Sequence, residues 1–154
     1  MLNSEKMVAS IQKQDLEHAE KYFKRALKED DAETLLELAE YLESIGFLPQ
    51  AREIYLQERE SYPEVNINLA QIATEDGDIE GAFLYFDAIS PESEAYLSAL
   101  LVMADIYDME GLTDVAREKL LLASKISDDP LVIFGLAEIE LELGNFNQAI
   151  KEYA

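Results

Sequence analysis

The sequence predicts an all-α fold, a solenoid built from repeated antiparallel helix hairpins. Four glycines recur at spacings of 31, 34 and 33 residues. An alanine stands seven residues before each glycine, another stands five residues after it, and a large side chain stands nine residues after it. The four copies are Ala39/Gly46/Ala51/Tyr55, Ala70/Gly77/Ala82/Phe86, Ala104/Gly111/Ala116/Leu120 and Ala137/Gly144/Ala149/Tyr153. Columns that recur about every 34 residues are typical of stacked helical hairpins rather than of a single globular core.

Each repeat is interpreted as a helix A, a glycine turn and a helix B. In the second repeat, Leu35, Leu38 and Leu42 are three or four residues apart, so they share one face of helix A. Gly46 then supplies the positive φ that ends a helix without a Cβ clash. Pro49 falls at the opening of helix B, where a missing N–H costs nothing.

The later repeats have comparable boundary signals. Ser90, Pro91 and Glu92 look like an N-cap followed by proline at the first helical position, so we expect a helix to begin there. Asp129 and Pro130 predict the start of the fifth repeat in the same way. A weaker first copy precedes the others, with Gln14 in place of the glycine and small or aromatic residues at Ala19, Phe23 and Ala26.

The alanine columns have a physical cause. Two antiparallel helices joined by a short turn must approach closely, and a small side chain in each facing surface permits this. The aromatic column fills the space between neighbouring hairpins. Phe86 and Met103 are therefore expected in the core rather than in a cofactor site.

These columns resemble the tetratricopeptide repeat family, which has a small residue at position 8 of its repeat, often glycine at 15, alanine at 20 and an aromatic at 24. The resemblance covers nearly the whole chain. It implies a right-handed superhelical solenoid of about five repeats, the last truncated, in one array over residues 1–154. The repeats would span approximately 1–31, 32–62, 63–96, 97–129 and 130–154.

The chain departs from the family pattern in places. Glu140 stands at position 11 of the last repeat, so its first helix is expected to sit differently. The aromatic of position 4 is replaced by Leu35, Asn66, Leu100 and Ile133. Ala154 falls midway through a helix B, so we expect the N-terminal part of a longer array, with Ile150 and Tyr153 exposed on the last helix.

Acidic residues dominate the charge. The chain has 33 Asp and Glu against 12 Lys and Arg, a formal net charge of −21. Between Arg59 and Arg117 there is no basic residue, while 13 acidic ones occur. Such a surface repels phosphate backbones and anionic lipids, so we expect no nucleic acid and no membrane as partner. The acidic surface either selects a partner or only keeps the protein soluble, and both interpretations stay open.

The residues required for common chemistries are scarce. There is no cysteine and one histidine, His18, so disulfides and thiolate metal sites are excluded. Residues 76–81 imitate part of a calcium loop, but 81–87 should be helical in this register. Glycine-rich phosphate loops are absent, and no acid pair stands out. We therefore predict no catalytic residue, no metal site, no cofactor and no enzymatic activity.

The resemblance implies that helix-A residues at positions 5, 9 and 12 line a concave groove. Apolar side chains occupy position 5: Leu36, Ile67, Leu101 and Phe134. Polar side chains occupy most of positions 9 and 12: Glu40, Gln71, Asp105 and Glu138, then Glu43, Thr74, Asp108 and Leu141. The position-5 residues could instead simply pack between adjacent A helices.

The predicted function is a non-catalytic adaptor that binds a peptide or protein, of basic or amphipathic character, in this acidic groove. A cytoplasmic location is expected, because the start lacks a signal-peptide pattern and no run of 18 apolar residues occurs. Two alternatives remain. One is a structural array that forms a homo-oligomer through its groove or an open terminal repeat; the other is a fragment of a peptide-sensing regulator.

Overall fold

The computed structural model describes residues 1–144 and 150–152. Within these residues there are nine complete α-helices and no β-strand. The internal contacts divide the chain into two compact units, Met1–Val65 and Asn66–Ala154. The prediction of an all-α fold of antiparallel helix hairpins is confirmed.

The first unit contains two hairpins. Its helices are α1 (Asn3–Gln12), α2 (Leu16–Glu29), α3 (Ala32–Ser44) and α4 (Leu48–Glu58). Helix α1 packs on α2 and α3 packs on α4, while α1 also contacts α3. The start of α1 is tied to the end of α2, because Ser4 donates its backbone N–H and its hydroxyl to Asp30 at 2.9 and 2.6 Å.

The second unit continues the same alternation. Its helices are α5 (Val65–Glu75), α6 (Ile79–Asp87), α7 (Tyr96–Met109), α8 (Thr113–Ile126) and α9 (Pro130–Glu142). Alanines of α5 and α6 share one core cluster with Phe86 and Met103. Helix α8 packs against both α7 and α9. Phe83 of α6 stacks on Tyr107 of α7 with ring centroids 4.3 Å apart. Phe86, the aromatic-column residue of this repeat, shares a core cluster with Met103 of α7, so it packs between these two hairpins as expected.

The predicted turn positions all adopt the left-handed conformation. The φ angles are 87° at Gly46, 81° at Gly77, 81° at Gly111 and 78° at Gly144. Gln14 takes the same role in the first hairpin with a φ of 62°. A Schellman-type hydrogen bond between residues five apart recurs in these turns. In one example, the N–H of Leu112 donates to the carbonyl of Tyr107 at 2.8 Å. The predicted turns are confirmed, including the glycine-free one.

The recurring small residues correspond to buried helix contacts. The described alanines of both columns are at most 3% exposed, and Tyr55 and Phe86 are 2% exposed. The first copy follows the pattern, since Ala19, Phe23 and Ala26 are all buried. The predicted column residues Ala149 and Tyr153 lie outside the described residues. Ile150 is 67% exposed.

One predicted helix start is wrong. Helix α7 begins at Tyr96 and not at Pro91, because Ser90 and Ser93 satisfy the local backbone N–H groups in a turn. The Ser90 hydroxyl accepts from the N–H of Glu92 at 3.3 Å, and the Ser93 hydroxyl accepts from that of Ala95 at 3.1 Å. Serine competes with the helix in this way wherever its hydroxyl can reach a nearby N–H.

The other two proline signals are correct. Pro49 lies in the first turn of α4. Asp129 caps α9 by accepting the N–H of Leu131 at 2.9 Å, immediately before Pro130.

A buried ion pair joins α8 to α9. The side chain of Glu140 is 2% exposed, and its Oε1 accepts a hydrogen bond from Nε of Arg117, whose side chain is 37% exposed. The second carboxylate oxygen has no hydrogen-bond partner within the described residues. A carboxylate removed from water in this way depends strongly on the cation beside it. The sequence predicted that Glu140 would change the position of α9. In the structure, Glu140 links α9 to α8 through its ion pair with Arg117.

Two substitutions at left-handed turn positions, one at Gly111 and one at Gln14, should change the free energy of unfolding in opposite directions. Gly111→Val should destabilise by about 1–2 kcal/mol or more, since a β-branched side chain strains a positive φ. Beyond the two flanking residues, no atom lies within 4 Å of a Cβ added at Gly111, so the loss is expected to come mainly from backbone strain. Gln14→Gly should be stabilising by a smaller amount, because the flexibility of glycine offsets part of the gain. Urea unfolding measures both, and wild-type stability in Gly111→Val would contradict the assignment.

Replacing only Arg117 of the buried Arg117–Glu140 pair should lower the free energy of unfolding more than replacing both residues. Arg117→Met leaves the Glu140 carboxylate buried without its cation and should destabilise by about 3 kcal/mol. The double variant Arg117→Met/Glu140→Leu should recover most of that loss. A double-mutant cycle in urea gives the coupling. Additive losses would show that the two side chains do not interact in solution.

Candidate functional site

The predicted site residues of the first unit all belong to α3. Leu36 is half-buried and Glu40 is exposed. Glu43 faces the buried hydroxyl of Tyr55 and forms a side-chain hydrogen bond with it. Burial first, and then the charges of Glu43 and Glu40, raise the pKa of Tyr55 well above its usual range. Glu43 therefore has a partner inside the hairpin.

A cavity of about 360 Å³ lies between α1 and α3, on a different side of α3 from these residues. Val8 and Tyr41 contribute to it, whereas Leu36, Glu40 and Glu43 do not. The structure thus does not bring the three predicted residues of the first unit into this cavity.

The predicted residues at the start of the second unit lie on α5. Ile67 is half-buried and packs against the core cluster around Phe86, which is the packing role left open for position 5. Gln71 lines a cavity of about 400 Å³ between α5 and α7, together with Asp105 and Val102.

Five predicted residues meet in one cavity of about 290 Å³ between α7 and α9: Leu101, Asp105, Asp108, Phe134 and Glu138. The same cavity is lined by Ala104, Leu120, Leu131, Gly135, Ile139 and Glu142. We refer to it as the acidic cavity. Its walls come from two successive A helices, and Leu120 of α8 closes it from behind.

The acidic cavity combines a large apolar surface with four carboxylates. Phe134 is 49% exposed and Leu131 is 69% exposed, so both side chains are accessible to a partner. The carboxylates belong to Asp105, Asp108, Glu138 and Glu142, and none of the described lining residues is Lys or Arg.

The carboxylates of the acidic cavity disturb one another. Burial, and then the charge of Asp108, raise the pKa of Asp105. The pKa of Glu142 is raised by its hydrogen bond to Asp108, by burial, and by the charges of Asp108 and Glu138. Neighbouring like charges favour the protonated form, so the cavity carries negative charge that nothing in its described lining compensates.

Sequence reasoning missed two lining residues, although each had a signal. Glu142 follows Glu138 by four residues, so helical periodicity places it on the same face of α9. Leu131 is three residues before Phe134, which also predicts a shared face.

The residues considered for metal binding have structural roles. Asp78 caps α6 by accepting the N–H of Gly81 at 2.9 Å, and residues 79–87 are helical, as the repeat register predicted. His18 is exposed, with its Nδ1 2.7 Å from Asp15. No cluster of metal-ligating side chains occurs among the described residues. Within the same residues, no helix has the length and apolar character needed to cross a membrane.

Comparisons with known proteins agree with this architecture. Residues 2–114 match the family described as tetratricopeptide repeat protein 21 ARM repeat, and residues 108–154 match the family of YpiA-like tetratricopeptide repeats. The TPR repeat-containing protein YpiA of Bacillus subtilis (strain 168) is 27% identical over 139 residues, which are 90% of this chain and 32% of that protein. The chain spans about a third of the length of this relative.

Solved structures with the same fold include MamA, at 20% identity and a TM-score of 0.71, where the match covers 98% of this chain and 86% of that one. The TPR protein TTC0263 of Thermus thermophilus matches at 23% identity and a TM-score of 0.58, with the same coverages of 98% and 86%. At these identities the likeness concerns the fold.

Tetratricopeptide repeat proteins generally mediate protein–protein interactions and are typically non-catalytic. The family matches together cover nearly the whole chain, and the buried alanine columns and left-handed turns agree with them. The chain belongs to the tetratricopeptide repeat family.

Proposed function

We propose that this chain is a non-catalytic interaction module that binds a basic, amphipathic segment of a partner protein in the acidic cavity. The observation that carries the proposal is the coincidence, in one cavity, of exposed large apolar side chains and four uncompensated carboxylates. A segment with alternating apolar and Lys or Arg side chains would satisfy both at once.

The apolar part of the cavity supports affinity. Phe134 and Leu131 are largely exposed, and Leu101 is half-buried beside them. Burial of a large apolar side chain contributes about 1.5–3 kcal/mol when complete. One or two apolar anchors of the partner would therefore supply most of the binding free energy and a slow dissociation.

The carboxylates support selectivity. A cation placed among Asp105, Asp108 and Glu142 would relieve the repulsion that raises the pKa values of Asp105 and Glu142. Charge complementarity of this kind mainly accelerates association and excludes acidic partners. Salt should weaken the binding without abolishing it, since screening leaves apolar burial intact.

Charge and apolar variants should act on different rate constants. The ligand is a synthetic amphipathic peptide of leucine and lysine, and a matched peptide of leucine and glutamate is its control. Asp105→Lys/Asp108→Lys should slow association, whereas Leu131→Ala/Phe134→Ala should speed dissociation. Surface plasmon resonance separates the two effects.

The control for charge reversal is Glu94→Lys/Glu118→Lys, which changes the net charge equally at exposed positions outside the acidic cavity. It should leave the rate constants close to those of the wild type. Equal binding of both peptides, or wild-type kinetics in both cavity variants, would show that the acidic cavity is not the site.

Neutralising one carboxylate should raise stability and lower affinity together. Because the folded-state pKa of Asp105 is raised, its stabilising contribution is present below the unfolded-state pKa and is lost as pH rises through the folded-state pKa. At pH 7 the ionised group is therefore destabilising, and Asp105→Asn should melt at a higher temperature than the wild type. The difference should vanish below the ordinary pKa of aspartate.

The affinity of the leucine–lysine peptide should fall in the same variant. In the wild type, it should also fall as pH drops through the raised pKa values of Asp105 and Glu142, with Asp108, Glu138 and Glu75 as the neighbouring titratable groups. Calorimetry of the free protein and peptide titrations across pH measure the two effects. A variant that loses both stability and affinity would point to a structural role for Asp105.

A further inference from the structure

The first hairpin holds half of the basic residues of an otherwise acidic chain. Residues 1–29, up to the end of α2, contain six Lys or Arg and five Asp or Glu, whereas residues 66–154 contain four and 18. The charge of the chain is thus strongly uneven along its length. Neither the repeat architecture nor the acidic cavity accounts for this concentration of cations.

Four of these cations occupy one side of α2: Lys21, Lys24, Arg25 and Lys28. Spacings of three, one and three residues place them together on a helix with 3.6 residues per turn. The buried residues Ala19, Phe23 and Ala26 occupy the opposite side of α2. All four cations are exposed, and so is Glu17, which lies on the same side of α2 four residues before Lys21. We call this surface the basic face.

A neighbouring aromatic ring holds part of the basic face in place. Arg25 lies with its guanidinium carbon 5.9 Å from the ring centroid of Tyr22. Lys6 of α1 approaches the same ring to 5.7 Å. Cation–π contacts of this kind restrict long side chains, which lowers the entropy lost when they bind. Lys24 forms an exposed ion pair with Glu20 at 3.5 Å, a contact that contributes little by itself.

We infer that the basic face of one copy docks on the acidic cavity of a second copy. This inference rests on the proposed function, because it supplies an occupant for the same cavity. The basic face offers four cations beside the partly exposed ring of Tyr22, and their long aliphatic stems can cover apolar surface while the charged ends reach carboxylates. The acidic cavity offers four carboxylates and no cation among its described lining residues.

A second copy is favoured over an anionic lipid or nucleic acid by the rest of the surface. The chain has a net charge of −21, so an extended phosphate surface would meet repulsion beyond the first hairpin. A second copy needs to present only its acidic cavity, and salt screens the remaining charges beyond a Debye length of about 8 Å at physiological ionic strength. The two docking surfaces differ, so the contact is heterologous.

The inference is tested by light scattering and sedimentation equilibrium of the purified chain. At an ionic strength of about 0.15 M, where the Debye length is about 8 Å, the average mass should exceed that of the monomer and rise with concentration. In about 1 M salt, where the Debye length is about 3 Å, it should return to the monomer mass. A monomer at every salt concentration, or association that salt does not weaken, would overturn the inference.

Charge exchange gives a sharper test. Lys24→Glu/Arg25→Glu should be monomeric, and so should Asp105→Lys/Asp108→Lys. A mixture of the two should associate again, because the first retains an acidic cavity and the second retains a basic face. Lys119→Glu/Lys125→Glu is the control with the same charge change outside the basic face and should associate like the wild type. A mixture that remains monomeric would overturn the pairing.

The same variants separate this inference from the proposed function. Lys24→Glu/Arg25→Glu keeps its acidic cavity, so it should still bind the leucine–lysine peptide even as a monomer. Loss of self-association with retained peptide binding in this variant supports both ideas. A wild-type chain that is monomeric but binds the peptide would overturn self-docking alone. Capture of polyglutamate by the basic face of a chain that stays monomeric would overturn self-docking and assign that face to another acidic partner.

Discussion

The structure depends on the close approach of paired helices. Alanines on facing surfaces, such as Ala39 and Ala51, are fully buried, so the two backbones of a hairpin can come close together. A residue with positive φ reverses the chain between them, usually glycine. When these two requirements are met, a large residue of helix B can pack against the following hairpin, as Phe86 does beside Met103 of α7. The acidic cavity then arises as the space between two successive A helices, α7 and α9.

Features set by neighbours in sequence could be predicted, because each follows from local backbone geometry or from helical periodicity. The left-handed turns belong to this class, and even Gln14 was identifiable from its position in the repeat. Residues of the acidic cavity on α7 were likewise predictable from repeat position. Glu43 was expected on the same grounds, yet its hydrogen bond to Tyr55 depends on a side chain of the following helix. Periodicity assigns a residue to a face without identifying the partner that it meets there.

Features set by competition or by distant partners could not be predicted in this way. Ser90 and Pro91 carry the signal of a helix start, but the Ser93 hydroxyl accepts the N–H of Ala95 in a turn, and α7 starts later. Propensity alone does not choose between them. The pairing of Glu140 with Arg117 bridges 23 residues, and an acidic residue at a core position gives no indication of where its cation lies.

That ion pair also bears on how interchangeable the repeats are. In a solenoid each unit contacts only its neighbours, so units joined only by alanine and aromatic contacts can be exchanged, because any neighbour presents the same surface. The contact between Glu140 and Arg117 breaks this equivalence, since the fifth repeat requires a cation that its present neighbour supplies. The order of these two repeats is thereby encoded in charge, and a shuffled or deleted unit at this junction would leave a buried carboxylate without its cation.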